Sequence, residues 1–126
     1  MNTEDFVSFK TAKLLNDKGF DWNCDTYYTE NGSVKYTQLK YNHNGIKNCY
    51  SKPTLQVAMK WLREAHNLNV EVYRTACGYI GCIVDIPSGT DIKFLEDNGD
   101  DLPSGQYTKW EYACEASIKY CLENLI

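Results

Sequence analysis

Residues 51–70 read SKPTLQVAMKWLREAHNLNV, and the rest of the chain can be placed against this stretch. Leu55, Ala58, Met59, Leu62 and Ala65 recur at intervals of three and four, which puts them on one stripe of an α-helix. Proline has its φ pre-set near the helical value and lacks an amide that the first turn leaves unbonded, so Pro53 is expected at position N1. It also drives Lys52 out of the α region, so the helix starts no earlier. Thr54 competes as N-cap one residue on. Gln56, Lys60, Arg63 and Glu64 fill the opposite side, with Lys60 and Glu64 an i,i+4 surface pair. His66 and Asn67 close the last turn, where a cation or a residue that tolerates the left-handed region is favoured. Val57 and Trp61 form a second apolar edge. Trp61 reads as a packing residue, because tryptophan normally buries most of its area.

The chain has 126 residues, 43% of them hydrophobic and 24% charged, which suits one globular domain spanning 1–126 and argues against disorder. The formal charge of −4 gives a whole-protein field that does not favour nucleic acid. No apolar run approaches the length of a transmembrane helix, so no membrane partner is expected. The opening MNTEDFVSFK carries acids where a signal peptide needs a basic region and an apolar core, so a cytoplasmic location is expected. The six cysteines, at 24, 49, 77, 82, 114 and 121, then read as reduced thiols. Charge is unevenly spread: residues 35–74 hold seven bases and two acids inside an acidic protein.

A first helix is predicted over 8–18, capped by Ser8 and stopped by Gly19, with Phe9, Ala12 and Leu15 on one face and Leu14 widening it. A start capped by Thr3 is the alternative. Phe20 and Trp22 anchor its exit. Residues 24–29 and 33–39 flank Glu30-Asn31-Gly32, and Asn-Gly between such runs is the strongest short-range hairpin signal. Strict alternation in the second arm puts Val34, Tyr36 and Gln38 on one face and Lys35, Thr37 and Leu39 on the other. Asn42-His43-Asn44-Gly45 is a turn signal, and 46–50 reads equally as short strand or loop. Strands follow at 69–77 and 79–86, with a third at 91–95, and 97–103 reads as a polar loop. Thr108 and Glu111 have capping-box spacing for a last helix whose stripe is Trp110, Ala113, Cys114, Ser117, Ile118, Cys121 and Leu125.

The predicted fold is α+β: an antiparallel sheet of four to five strands with three helices, in the order α-ββ-α-ββ(β)-α. Two successive helix-plus-hairpin units hint at an internal repeat. AKLLNDKGFDW at 12–22, PTLQVAMKWLREAHNLNVEVY at 53–73 and WEYACEASIKYCLENLI at 110–126 together resemble a group of small uncharacterised proteins of gut-bacterial genomes, their prophage and mobile elements included. The resemblance covers most of the chain and is weakest over 76–106. It implies an accessory gene rather than a housekeeping enzyme and transfers no catalytic residue.

No catalytic, metal or cofactor motif stands out, and a non-enzymatic role is expected. Cys77 and Cys82 are spaced C-x4-C without the second ligand pair that structural zinc uses. Asp97, Asn98, Gly99, Asp100 and Asp101 lack EF-hand spacing. His43 and Cys49 sit in no recognisable nucleophile frame. The most specific constellation is Lys35, Lys40, Lys47 and Lys52 interleaved with Tyr36, Tyr41, His43 and Tyr50. Rings can stack on bases while lysines meet phosphate, and amides at the start of the central helix suit an anion. Ligand-binding candidates are therefore Lys35, Lys40, Tyr41, His43, Lys47, Tyr50 and Lys52. Against this stands the aromatic content, ten tyrosines and three tryptophans, more than a small core can hide. The adjacent Tyr27 and Tyr28 face opposite ways in a strand, which exposes one of them. The expected function is an interaction module with an unknown protein partner or a second copy of itself. Binding of a nucleotide or nucleic acid through 35–52 is the alternative.

Overall fold

A computed structural model describes residues 5–96 and 106–126. The described residues form helices α1 (Phe9–Asp17), α2 (Leu55–His66) and α3 (Trp110–Tyr120). The strands are β1 (Cys24–Thr29), β2 (Val34–Tyr41), β3 (Cys49–Ser51), β4 (Leu68–Thr75), β5 (Gly78–Asp85) and β6 (Asp91–Leu95). The class is α+β, as expected, but the single sheet is not found. The strands form two three-stranded antiparallel sheets, ordered β2-β1-β3 and β4-β5-β6. The chain divides into two compact units, Met1–Trp61 and Leu62–Ile126. The strand that changes the expected count is β3. Three residues are too few to show a period of two, yet β3 pairs along β1 through Tyr27↔Ser51, Tyr28↔Tyr50 and Thr29↔Cys49. The hint of a repeat also ends here. The first strand is central in one sheet and the middle strand is central in the other.

In the first unit Ser8 caps α1, its Oγ accepting from the Thr11 amide at 3.2 Å, and Gly19 follows the helix at φ +89°. The alternative start at Thr3 lies outside the described residues. Thr11, Ala12 and Leu15 are buried, and the Phe9 ring stands 5.2 Å from Tyr28 and 5.9 Å from Tyr50. The β1–β2 hairpin turns at Gly32, whose φ of +88° favours glycine, and the Thr29 amide donates to the Ser33 carbonyl at 2.8 Å. α2 begins at Leu55 rather than at Pro53. Thr54 Oγ1 accepts from the Val57 amide at 3.1 Å and is the N-cap. The Pro53 carbonyl accepts from Val7 at 3.1 Å and Thr54 bridges to Phe6, so this pair is held extended and the proline stays outside the helix. The expected stripe is buried at Leu55, Ala58, Met59 and Leu62, while Ala65 is exposed. Trp61 is buried and meets Phe20 edge-on at 5.4 Å. Asn67 follows the helix at φ +56°.

In the second unit β4 and β5 run in register from Leu68↔Asp85 to Thr75↔Gly78. β5 stops at Asp85, which leaves Ile86 exposed outside it. The third strand forms where expected, and the loop at 97–103 lies outside the described residues. The capping box is not formed. Lys109 is the N-cap of α3, with no side-chain bond, so Thr108 falls one residue too early. Glu111 still occupies the first turn, where an acid opposes the helix dipole favourably. Ala113, Cys114, Ser117 and Ile118 are buried, as are Cys121 and Leu122. Leu122 was not in the expected stripe. Leu122 continues the i,i+4 row of Cys114 and Ile118, and residues Cys121–Leu125 form a π-helical turn.

Gly81 sets how closely α3 lies on β5. A methyl group there would overlap Ser117 Oγ and come within 3.4 Å of the Ala113 carbonyl, with which that hydroxyl bonds at 2.8 Å. Gly81→Ala is therefore expected to lower stability by about 1–3 kcal/mol. Thermal unfolding followed by circular dichroism checks this, and the double variant Gly81→Ala/Ser117→Ala should recover most of the loss.

Candidate functional site

The nominated residues separate into distinct places in the first unit. Lys40 and Lys52 line one cleft of 340 Å³ together with Phe6, Asp25, Thr26, Tyr36, Pro53 and Val57. Lys35 borders a different, shallower depression with Asn31 and Asn48. Lys47 is exposed in the turn before β3 and lines neither. Tyr50 is packed edge-on against Phe9.

His43 is placed differently from the expectation that it faces a ligand, while Tyr41 is exposed. His43 is fully buried in a 3-10 turn, His43–Gly45. Its ring stacks on Tyr27 at 4.4 Å and lies 3.9 Å from Tyr41. Its Nε2 is 2.8 Å from the Cys24 carbonyl and donates to it, while Nδ1 is buried with no partner. The same turn is tied down by Asn44, which donates to the Phe20 carbonyl and accepts from the Ser51 amide, both at 2.8 Å. Tyr28 is buried, with its hydroxyl on the Val7 carbonyl, and Tyr27 is half-buried, so neither is the exposed aromatic. Two of the amides opening α2 are also committed. Leu55 donates to the Asp5 carbonyl and Val57 to Thr54.

Lys52 directly precedes Pro53, which keeps it extended, and its own amide donates to the Thr26 carbonyl at 2.9 Å. Its Nζ lies 4.8 Å over the Phe6 ring and 5.1 Å over the Tyr28 ring. Burial pushes the ammonium pKa below its ordinary value. Cation–π attraction offsets part of that cost. Among the described residues, no carboxylate pairs with Lys40 or Lys52.

The second feature is a bulge in β2. Cys24 pairs with Tyr41 and Thr26 with Tyr36, so Asp25 alone faces residues 37–40. Thr37 Oγ1 bonds to the Leu39 carbonyl at 2.7 Å and to the Asp25 carbonyl at 3.3 Å, which fixes the excursion. Leu39 is 78% exposed and Tyr36, at the base of the bulge, 75%. Among the described residues of this unit, the exposed large apolar side chains are Val34, Tyr36, Leu39, Tyr41 and Ile46. All lie on β2 or in the segment after it. Sequence reasoning missed Phe6, Asp25 and Leu39 as site residues, and placed Tyr36 in the basic, aromatic constellation without making it a ligand-binding candidate. The two-residue alternation used for β2 carries no signal of a bulge.

None of the six cysteines is in a disulfide. Burial pushes Cys24 and Cys82 up to about 11 and Cys121 up to about 12, with Asp25 adding to the rise at Cys24. Cys77 is exposed while Cys82 is buried with its thiol 3.6 Å from Asp91. Among the described residues no three His, Cys, Asp or Glu side chains gather as a metal site, and the acidic run at 97–101 lies outside them. No helix among the described residues is long and apolar enough to cross a membrane. No protein-family model, curated protein or solved structure matches the chain.

In the native protein a disulfide-exchange reagent should modify Cys77 first, with Cys24, Cys82, Cys114 and Cys121 reacting only after unfolding. Mass spectrometry of the labelled peptides checks this. The His43 pKa is lowered by burial, against smaller raising contributions from the Cys24 carbonyl and Asp25. The unfolded chain therefore binds the proton first as pH falls. The stability from neutral His43 is complete above its unfolded pKa of 6.5 and is lost as pH drops below that value toward the folded pKa. Denaturant titrations between pH 7 and 5 should show that decline, and His43→Gln should flatten it at a lower plateau.

Proposed function

We propose that this protein is a non-catalytic, intracellular protein-interaction module of accessory, mobile-element origin, and that it docks through the β2 bulge. The origin rests on the sequence resemblance. The docking surface is supported by one observation: the exposed large apolar side chains of the first unit's described residues are confined to β2 and the turn after it. A bulge spoils an edge for plain strand addition and re-aims side chains outward. Tyr36 and Leu39 are the anchors. Fully burying a large apolar side chain yields about 1.5–3 kcal/mol, enough for two residues to dominate a contact. Lys35 and Lys40 flank them on the same exposed strand. A second copy would meet like charge there, so the fitting partner is a different protein with an apolar centre and an acidic rim.

The second reading is a nucleotide or nucleic-acid binder through 35–52. Its support is that Lys40 and Lys52 share one cleft, while Lys35 and Lys47 stand outside it. That support favours a small ligand over a nucleic-acid strand.

Affinity capture from a lysate of the source organism, with wild type and Leu39→Ser run in parallel, tests the docking surface. A defined partner retained in stoichiometric amount by wild type and lost at least tenfold by the variant is the expected result. Equal capture by both proteins, or no partner at all, overturns it. So does a stable wild-type dimer in sedimentation that Leu39→Ser dissociates.

A further inference from the structure

We propose that the 340 Å³ cleft is a binding site for a small organic anion, one whose carboxylate or phosphate group meets Lys40 and Lys52 and whose flat apolar body lies along Phe6, Pro53 and Val57. The starting observation is the environment of Lys52. A half-buried ammonium rests on two aromatic rings, at 4.8 and 5.1 Å, without a carboxylate partner among the described residues. A partly desolvated charge without a counter-ion is disfavoured, and an arriving anion relieves part of that cost. Lys40 adds a second cation to the same wall. Asp25 is the one acid on the lining, and its Oδ1 already accepts from Thr26 Oγ1 at 3.0 Å. The charged side chains lining the cleft therefore sum to a positive balance, suited to one anionic group. Phe6, Pro53, Val57 and the Tyr36 ring supply the apolar part of the lining and Asn23, Thr26 and Thr54 add polar groups, a mixture usual in small-molecule sites, and the volume lies at the low end of the range of about 300–1,000 Å³ for such sites. A ring-sized molecule is accommodated; an oligonucleotide is not.

Tyr36 and Lys40 border both surfaces, but Leu39→Ser in partner capture and Lys52→Met in ligand titration read them separately, so the two proposals fail separately. The test is calorimetric titration at low salt with phenyl phosphate, benzoate, inorganic phosphate and benzyl alcohol. One saturable site for phenyl phosphate or benzoate is expected, with a dissociation constant at or below about the millimolar range. Inorganic phosphate and benzyl alcohol, which each lack one half of the recognised chemistry, should bind at least tenfold more weakly. The tighter of the first two probes identifies the anionic group. Lys52→Met and Lys40→Met should each weaken that probe at least tenfold, while Lys47→Met leaves it unchanged. Lys52→Met should also raise the melting temperature, because it removes a desolvated charge. Should that variant fail to fold, Lys40→Met alone decides, since Lys40 is exposed. No saturation by any probe, or binding indifferent to Lys40→Met, overturns the proposal.

Discussion

The first unit depends on a single clamp, the hydrogen bond from His43 to the carbonyl of Cys24. That bond is made by a fully buried ring packed on Tyr27 and Tyr41. Tyr41 is the residue at which β2 rejoins β1 after its bulge, directly opposite Cys24. The clamp therefore closes the bulge from one side. From the other, Ser51 accepts from the His43 amide and donates its own amide to Asn44, so the turn that follows β2 is stitched to β3. One buried imidazole thus links the exposed excursion, the central strand and the last strand of the sheet. Its unpartnered Nδ1 makes the arrangement sensitive to protonation, since a charged ring there would be both desolvated and unpaired.

The two proposed surfaces follow from this geometry. Residues 37–40 stand off the ladder because only Asp25 faces them, which turns Leu39 out to solvent and brings Lys40 to the wall of the cleft. Lys52 reaches the same cleft from the end of β3, held extended by Pro53. Leu39 and the two lysines are thereby separated: Leu39 points to the proposed docking contact, and the two ammonium groups line the proposed anion cleft. Tyr36 belongs to both settings, exposed at the base of the bulge and lining the cleft. The second unit uses a different device. Its helix α3 lies against bare backbone at Gly81, where even one methyl group would meet Ser117.

Much of the local structure was legible from residue type alone. Ser8 as a cap, Gly19 and Asn67 as helix exits, the turn at Gly32 and the apolar stripe of α2 all follow from short-range sterics and hydrogen bonding, which act within a few residues. The failures are of one kind. Local chemistry favours Pro53 at the first position of α2, with Thr54 as the competing cap, and Thr108 as the cap of α3, because these motifs are locally sound. Contacts from Asp5, Phe6 and Val7 to residues 53–55 settled the first. For the second, no contact in the structure explains why α3 starts one residue late. The basic, aromatic stretch at 35–52 was visible, but a linear pattern cannot tell Lys40 and Lys52, which share a cleft, from Lys35 and Lys47, which do not.

The amino-acid sequence by itself determined the α+β class, the three helices and the hairpins, because periodicity and turn chemistry are properties of neighbouring residues. The division into two sheets was decided by tertiary structure, since the three-residue β3 becomes a strand only by pairing with β1. The bulge in β2 was decided there too, because it is a mismatch in count between two strands and is written in neither one. Burial of His43 and the meeting of Lys40 with Lys52 belong to the same category. Both depend on where residues 12 to 19 positions apart are brought by the chain's return, and that return is fixed by packing and pairing rather than by local preference.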